Sequence, residues 1–273
     1  MLAAPHDLDL RGVEALILDL DGTLHNSGVA TPGAAELVAW ARGVGLPFVF
    51  CTQDPEFGEA HVAARLRTAG IDAHESDVVT GGSVIVSELR RRYDDRPIEL
   101  ICSAQQIAHL TGRGLKAAAE GEAAPATLFG IYNGFSGADL ERGCAAAWRG
   151  ADLYVIAYDR SFRMPDGLIP GAGPFARAVE HVTGKRVEDL AKPSRAMAEA
   201  ALARLGASGA ATLVVGDSLE ADIPLGKRIG ARTILPLTGT GSLADIEALP
   251  ADERPDWVVS DVSVVLEALK GQR

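Results

Sequence analysis

Ala15-Leu16-Ile17-Leu18-Asp19-Leu20-Asp21-Gly22-Thr23 is the stretch on which the reading of the fold turns. A short apolar run that ends in acidic residues and a glycine reads as a buried strand delivering its carboxyl end to a loop. Moving outward, Pro32-Gly33 opens a helical pattern through Trp40 and Ala41, and a second apolar run, Pro47 to Cys51, closes at Thr52. Helix returns over Glu56 to Thr68 and stops at Gly70. Strand, helix, strand, helix in this order predicts a parallel sheet with right-handed crossovers.

The last third repeats the pattern. Ser194 to Leu205 reads as an amphipathic helix, Thr212 to Val215 as a strand, Gly216-Asp217 as its loop and Glu220 to Ile229 as the next helix. Thr233 to Leu235 and Trp257 to Val259 read as further strands, with Val262 to Leu269 as a closing helix. The middle has strands of its own at Ile98 to Cys102, Thr127 to Ile131 and Leu153 to Ile156. It is long enough to be a separate α/β module. Ala117 to Ala126 reads as a helix end and loop, and Gly81-Gly82, Gly171 and Gly173 at the margins suit hinges.

The chain has 273 residues, 47% of them hydrophobic and 23% charged, which suffices for a full buried core. A formal net charge of -11 argues against a sequence-independent nucleic-acid binder, which needs clustered Lys and Arg. A metal and a local lysine can still reverse the field inside a phosphate pocket. Cys51, Cys102 and Cys144 are too widely spaced for a metal knuckle and odd in number, and read as buried thiols of a reducing cytosol. The start of the chain lacks a signal-peptide pattern and no apolar stretch reaches membrane-spanning length, so the expectation is a cytoplasmic protein without a membrane partner.

Asp19 and Asp21 sit where the first strand ends, so both carboxylates can curl around one point beyond the sheet edge, where open α/β sheets bind ligands. One can serve as nucleophile and the other as general acid and base. An isolated Asp-x-Asp is more often a solvated turn with two incidental aspartates. Thr52 alone is a cap or turn residue, and Lys192-Pro193 alone is commonplace. Gly216-Asp217-Ser218-Leu219-Glu220-Ala221-Asp222 follows a second buried strand with hard oxygen ligands of the kind that suit magnesium. The order carboxylate pair, hydroxyl, lysine, carboxylate pair, each at or just beyond a strand end, is what joins them.

In these four motifs the chain resembles the haloacid dehalogenase superfamily of phosphatases. Pro170-Gly171-Ala172-Gly173, Ala178-Val179-Glu180, Thr183-Gly184, Lys192-Pro193-Ser194 and Pro255-Asp256-Trp257-Val258-Val259-Ser260-Asp261 extend the resemblance to its class IIA, p-nitrophenylphosphatase-like branch. The resemblance implies a Rossmann-like parallel-sheet core at 1–79 and 185–273, with an inserted α/β cap domain at 80–184 that closes over it and sets substrate choice. It implies Mg2+-dependent hydrolysis of a small phosphorylated metabolite through an aspartyl phosphate on Asp19. Asp21 would protonate the leaving oxygen and then activate water. Thr52, Gln53 and Lys192 would hold the phosphoryl group. Mg2+ would be held by the Asp19 side chain, the Asp21 carbonyl and the Asp217 side chain, with Asp222 behind them. Asn133, Asp159 and Arg160 would face the substrate from the cap, with Arg163 as another candidate, and pairing into a homodimer would run through the cap. Neighbouring negative charge and burial are expected to raise the Asp21 pKa.

Three departures mark this chain. Gln53-Asp54-Pro55 replaces the two asparagines usual after Thr52, and Asp54 should repel phosphate unless it points away or meets a cation. Thr80-Gly81-Gly82 replaces the commoner Ser-Ala junction, and Ala191 stands where glycine usually precedes the lysine. A receiver domain also has a phosphorylatable aspartate with Thr and Lys, but lacks an aspartate placed as Asp21 and the inserted module. A catalytically silent relative that binds a phosphorylated ligand or a protein, and a phosphotransferase using the same site, remain as alternatives. His25, near the Asp19 loop, reads as a solvated loop histidine.

Overall fold

A computed structural model describes residues 2–119, 121–130, 134–164 and 167–272, with the backbone alone at 161–164 and 167–168. Proximity divides the chain into two units. The first comprises Met1–Thr52, Glu59–Val79 and Met197–Arg273, and the second Gln53–Gly58 and Thr80–Ala196.

A six-stranded sheet forms the first unit's centre, in the order Trp257–Val259, Arg232–Pro236, Thr212–Val215, Ala15–Leu18, Phe48–Thr52, Val78–Thr80. Ala15–Leu18 runs parallel to both neighbours, with Leu18 opposite Val215 on one side and Phe50 on the other. Its residues are all buried, as are those of Phe48–Thr52 and Thr212–Val215. Burial on both faces is why these strands are continuous apolar runs rather than alternating ones. The chain builds outward from Ala15–Leu18 in one direction through Phe48–Thr52, and later in the other from Thr212–Val215. Strand order therefore reverses between Ala15–Leu18 and Thr212–Val215, which is the place where doubly wound sheets bind ligands.

The second unit has its own parallel sheet, ordered Glu188–Asp189, Asp152–Val155, Ala126–Phe129, Glu99–Ile101. Side chains alternate across it. Leu100, Leu128 and Tyr154 pack in one cluster with Ile85, Leu89 and Leu110, while Ile101, Phe129 and Val155 pack in another with Cys144, Ala176 and Val179. Each face is thus sealed by helices, Gly81–Tyr93 and Ala104–Gly112 on one and Gly137–Trp148 and Gly173–Thr183 on the other. Glu188–Asp189 adds to this sheet, so Gly184, the expected end of the inserted module, lies inside the unit. The three cysteines are free and buried. Among the described residues no helix is long and apolar enough to cross a membrane.

Several boundaries shift for physical reasons. The helix expected from Glu56 begins at Glu59, because Asp54 Oδ1 accepts from the backbone N–H groups of Glu56 (2.8 Å) and Phe57 (3.1 Å) and closes a turn first. Gly81 and Gly82 are not a loose hinge but the buried first turn of a helix whose Thr80 cap accepts from the Ser83 N–H at 3.2 Å. Gly81 is needed for close approach: a Cβ there would lie 2.5 Å from the Gln53 carbonyl oxygen. Gly171 and Gly173 answer to the same constraint, at 2.3 Å from the Asp159 carbonyl oxygen and 2.4 Å from that of Tyr158.

Candidate active site

The parallel register brings the acidic loops together. With Leu18 opposite Val215, Asp19 and Gly216 leave the sheet side by side, and the Asp19 N–H donates to the Val215 carbonyl at 2.9 Å. With Leu18 opposite Phe50, Thr52 ends the neighbouring strand on the other flank and is buried. Carboxylate oxygens of Asp19, Asp217 and Asp222 lie within 4.8 Å of one another, and all three residues are buried. At that spacing, and an effective dielectric of about 20, each pair of ionised carboxylates repels by roughly 3–4 kcal/mol. A divalent cation reverses the sign of that sum, and an all-oxygen donor set suits Mg2+.

The surrounding backbone is shaped to these acids. Gly22, in the left-handed region at φ +89°, has no room for a side chain: a Cβ would lie 2.5 Å from Asp217 Oδ2. One on Gly239 would lie 2.0 Å from the same atom, and one on Gly216 would lie 2.2 Å from the Asp222 carboxyl carbon. Asp222 Oδ2 accepts from the Ser218 N–H at 3.1 Å, which folds the 216–222 loop back on itself. Asp217 Oδ2 accepts from the Thr240 N–H at 2.6 Å and the Thr240 hydroxyl at 2.9 Å. Thr240 was not legible beforehand as a site residue. The only sign was a Thr- and Gly-rich stretch after a strand, which reads as any loop does.

Asp21 departs from expectation. Its side chain is 65% exposed, where burial was expected. Oδ1 stands 3.6 Å from His25 Nδ1 and 3.7 Å from an Arg65 guanidinium nitrogen. His25 is buried rather than solvated, because His25–Asn26 pairs with Val29–Ala30 in a small hairpin and tucks the ring inward. Burial pushes its imidazole below the ordinary value, against the pull of the Asp21 carboxylate.

Lys192 is buried in the turn before the Arg195–Leu205 helix and is grouped with the second unit. Gln53 and Asp159, expected at phosphate and substrate respectively, have each other as partners: Gln53 Nε2 donates to Asp159 Oδ2 at 2.9 Å. Asp54, whose charge was a concern for phosphate binding, has Oδ1 engaged in the turn at Glu56 and Phe57. Arg160 is exposed, and its carbonyl accepts from the Gly171 N–H at 3.0 Å. Asn133 and the Arg163 side chain lie outside the described residues.

A haloacid dehalogenase-like hydrolase family model matches residues 16–116, and a HAD-hydrolase-like model matches residues 189–265. Chronophin from Bos taurus is 30% identical over 277 residues, spanning 94% of this chain and 93% of that protein. The chain belongs to the haloacid dehalogenase-like hydrolases. Sugar-phosphatase AraL from Bacillus subtilis is 28% identical over 265 residues, with 97% of this chain and 96% of that protein covered. The 4-nitrophenylphosphatase of Thermotoga maritima superposes with a TM-score of 0.84 at 25% identity, over 97% of this chain and 99% of that one. Within the superfamily the chain is a class IIA phosphatase. The two family matches enclose both acidic loops, Asp19–Gly22 and Gly216–Asp222.

Proposed function

We propose that the protein hydrolyses a small-molecule phosphomonoester, with Mg2+, through an aspartyl phosphate on Asp19. The observation that supports this most strongly is the trio of buried carboxylates at the ends of two adjacent parallel strands where the strand order reverses. Asp19, the Asp21 carbonyl and Asp217 would hold the cation, with Asp222 supporting the loop. When bound, it offsets the repulsion between Asp19 and a phosphate dianion and stabilises charge on the transferring group.

In the first step an Asp19 carboxylate oxygen bonds to phosphorus, the bond from phosphorus to the ester oxygen breaks, and Asp21 gives its proton to that oxygen. In the second, water attacks the aspartyl phosphate and Asp21 takes its proton, releasing phosphate and restoring Asp19. By the family resemblance, Thr52 and Lys192 would hold the phosphoryl oxygens. The second unit would act as the cap, with Asp159 and Arg160 as candidates for substrate choice, and Gln53 would act through Asp159 as well as on phosphate.

Sugar phosphates, the class in the name of AraL, lead the substrates worth assaying, with nucleotides and other small esters beside them. The test is phosphate release from a panel of such esters with and without Mg2+, beside Asp19→Asn. Release that needs both Mg2+ and Asp19 is expected. Metal-independent release, or release by folded Asp19→Asn at the wild-type rate, would overturn the mechanism. A folded wild-type protein that binds esters without turnover would favour a silent binding relative.

A further inference from the structure

The turn at 237–242 follows the Arg232–Pro236 strand and makes contacts on both acidic loops. Thr240 gives Asp217 Oδ2 two donors, its N–H at 2.6 Å and its hydroxyl at 2.9 Å. Thr238 donates its hydroxyl to the Gly22 carbonyl at 2.6 Å and accepts at its own carbonyl from Asn26 Nδ2 at 2.9 Å. Gly239 lies between them with its Cα side pressed on Asp217, where a Cβ would fall 2.0 Å from Oδ2. These contacts bridge segments far apart in the chain, and the turn residues that donate them, Thr238 and Thr240, have no role assigned above.

We infer that Thr240 is the positioning residue of the cation site: it holds Asp217 by Oδ2 and turns the other carboxylate oxygen to the metal. Two donors on one oxygen of a buried carboxylate fix both its rotation and its reach, which a single bond does not. Thr238 performs the matching task on the nucleophile loop, fixing the peptide that follows the Asp21 carbonyl. One turn thereby sets the spacing between the two arms of the site. Partners that orient a metal ligand are worth about 10–100-fold in metal affinity. The inference rests on the Mg2+ reading given above and adds to it a residue that touches neither metal nor substrate.

The test is calorimetric titration of Mg2+ into the wild-type protein, Thr240→Val and Thr240→Ser, with unfolding temperatures measured alongside. Valine keeps the shape and the N–H but loses the hydroxyl, whereas serine keeps the hydroxyl. We expect Thr240→Val to bind Mg2+ about tenfold more weakly and Thr240→Ser to stay within about twofold of wild type. Wild-type affinity in Thr240→Val would overturn the inference, as would equal weakening in both variants, which would mark a loop-packing role instead. Should Thr240→Val fail to fold, Thr240→Ala removes the same hydroxyl, and Thr240→Ala at the affinity of Thr240→Ser would overturn the inference. A wild-type protein that binds no Mg2+ would instead overturn the metal reading itself, and the inference with it.

Discussion

Replacing Gly22 by alanine tests whether the site is built by close approach. Two separable costs are expected. The first is backbone strain, because an L-residue at φ +89° costs about 1–2 kcal/mol. The second is steric. The new Cβ would stand 2.5 Å from Asp217 Oδ2 and 2.7 Å from its carboxyl carbon, so Asp217 must move. Moving it stretches the two bonds from Thr240, and a hydrogen bond to a charged group is worth about 1.5–3 kcal/mol. Together these give roughly 3–4 kcal/mol of lost stability. Gly28 supplies the control: its φ is +84°, but a Cβ there meets nothing within 4 Å, so Gly28→Ala should cost only the strain. Gly239→Ala supplies the converse, with no positive φ and a Cβ 2.0 Å from Oδ2. Urea unfolding followed by tryptophan fluorescence in a Trp148→Phe background reads the first unit, because Trp40 and Trp257 lie there and Trp148 in the second. If Gly22→Ala and Gly28→Ala cost the same, the close packing on Asp217 carries no energy and the account of the site's shape fails.

Two further outcomes follow from the second unit. Burial pushes the Glu56 carboxyl up, Asp54 adds to it, and hydrogen bonds to Gln106 and Ser103 oppose it. A raised carboxyl contributes stability below its unfolded pKa that is lost as pH rises through the folded value. Glu56→Gln should therefore unfold at a higher temperature than wild type at pH 7, with the gap closing below the ordinary carboxyl range; a gap that widens in acid would reverse the sign. For Gln53 and Asp159, a double-mutant cycle with Gln53→Leu and Asp159→Ala should show about 1 kcal/mol of coupling in unfolding. Strict additivity would mean that the bond between them contributes nothing.

How much of this was legible in the sequence depends on the range of the interaction that fixes each residue. The strands Ala15–Leu18, Phe48–Thr52 and Thr212–Val215 are local statements, continuous apolar runs, and polar residues at the ends of such runs point to Asp19, Thr52 and Asp217. Glu188–Asp189 is legible only from its pairing with Tyr154–Val155, since two acidic residues carry no strand signal of their own. Thr240 reaches an aspartate 23 residues away and Thr238 a glycine 216 residues away, so no window on the sequence contains either contact. His25 was misplaced for a related reason: its burial comes from a hairpin of two-residue strands, too short for alternation to show.

The glycines carry the argument furthest. The letter is the same at Gly28, Gly81 and Gly22, but Gly28 serves a positive φ in open space and Gly81 a close approach to the Gln53 carbonyl. Gly22 serves both requirements at once. The sequence can place a glycine in a loop, but only the partner across the gap says which demand it meets. Around Asp217 that partner is a carboxylate approached from Gly22 on one loop and Gly239 on another. A site whose walls are backbone has few side chains to announce it, so composition and spacing find the acids at its centre but not the glycines that shape it.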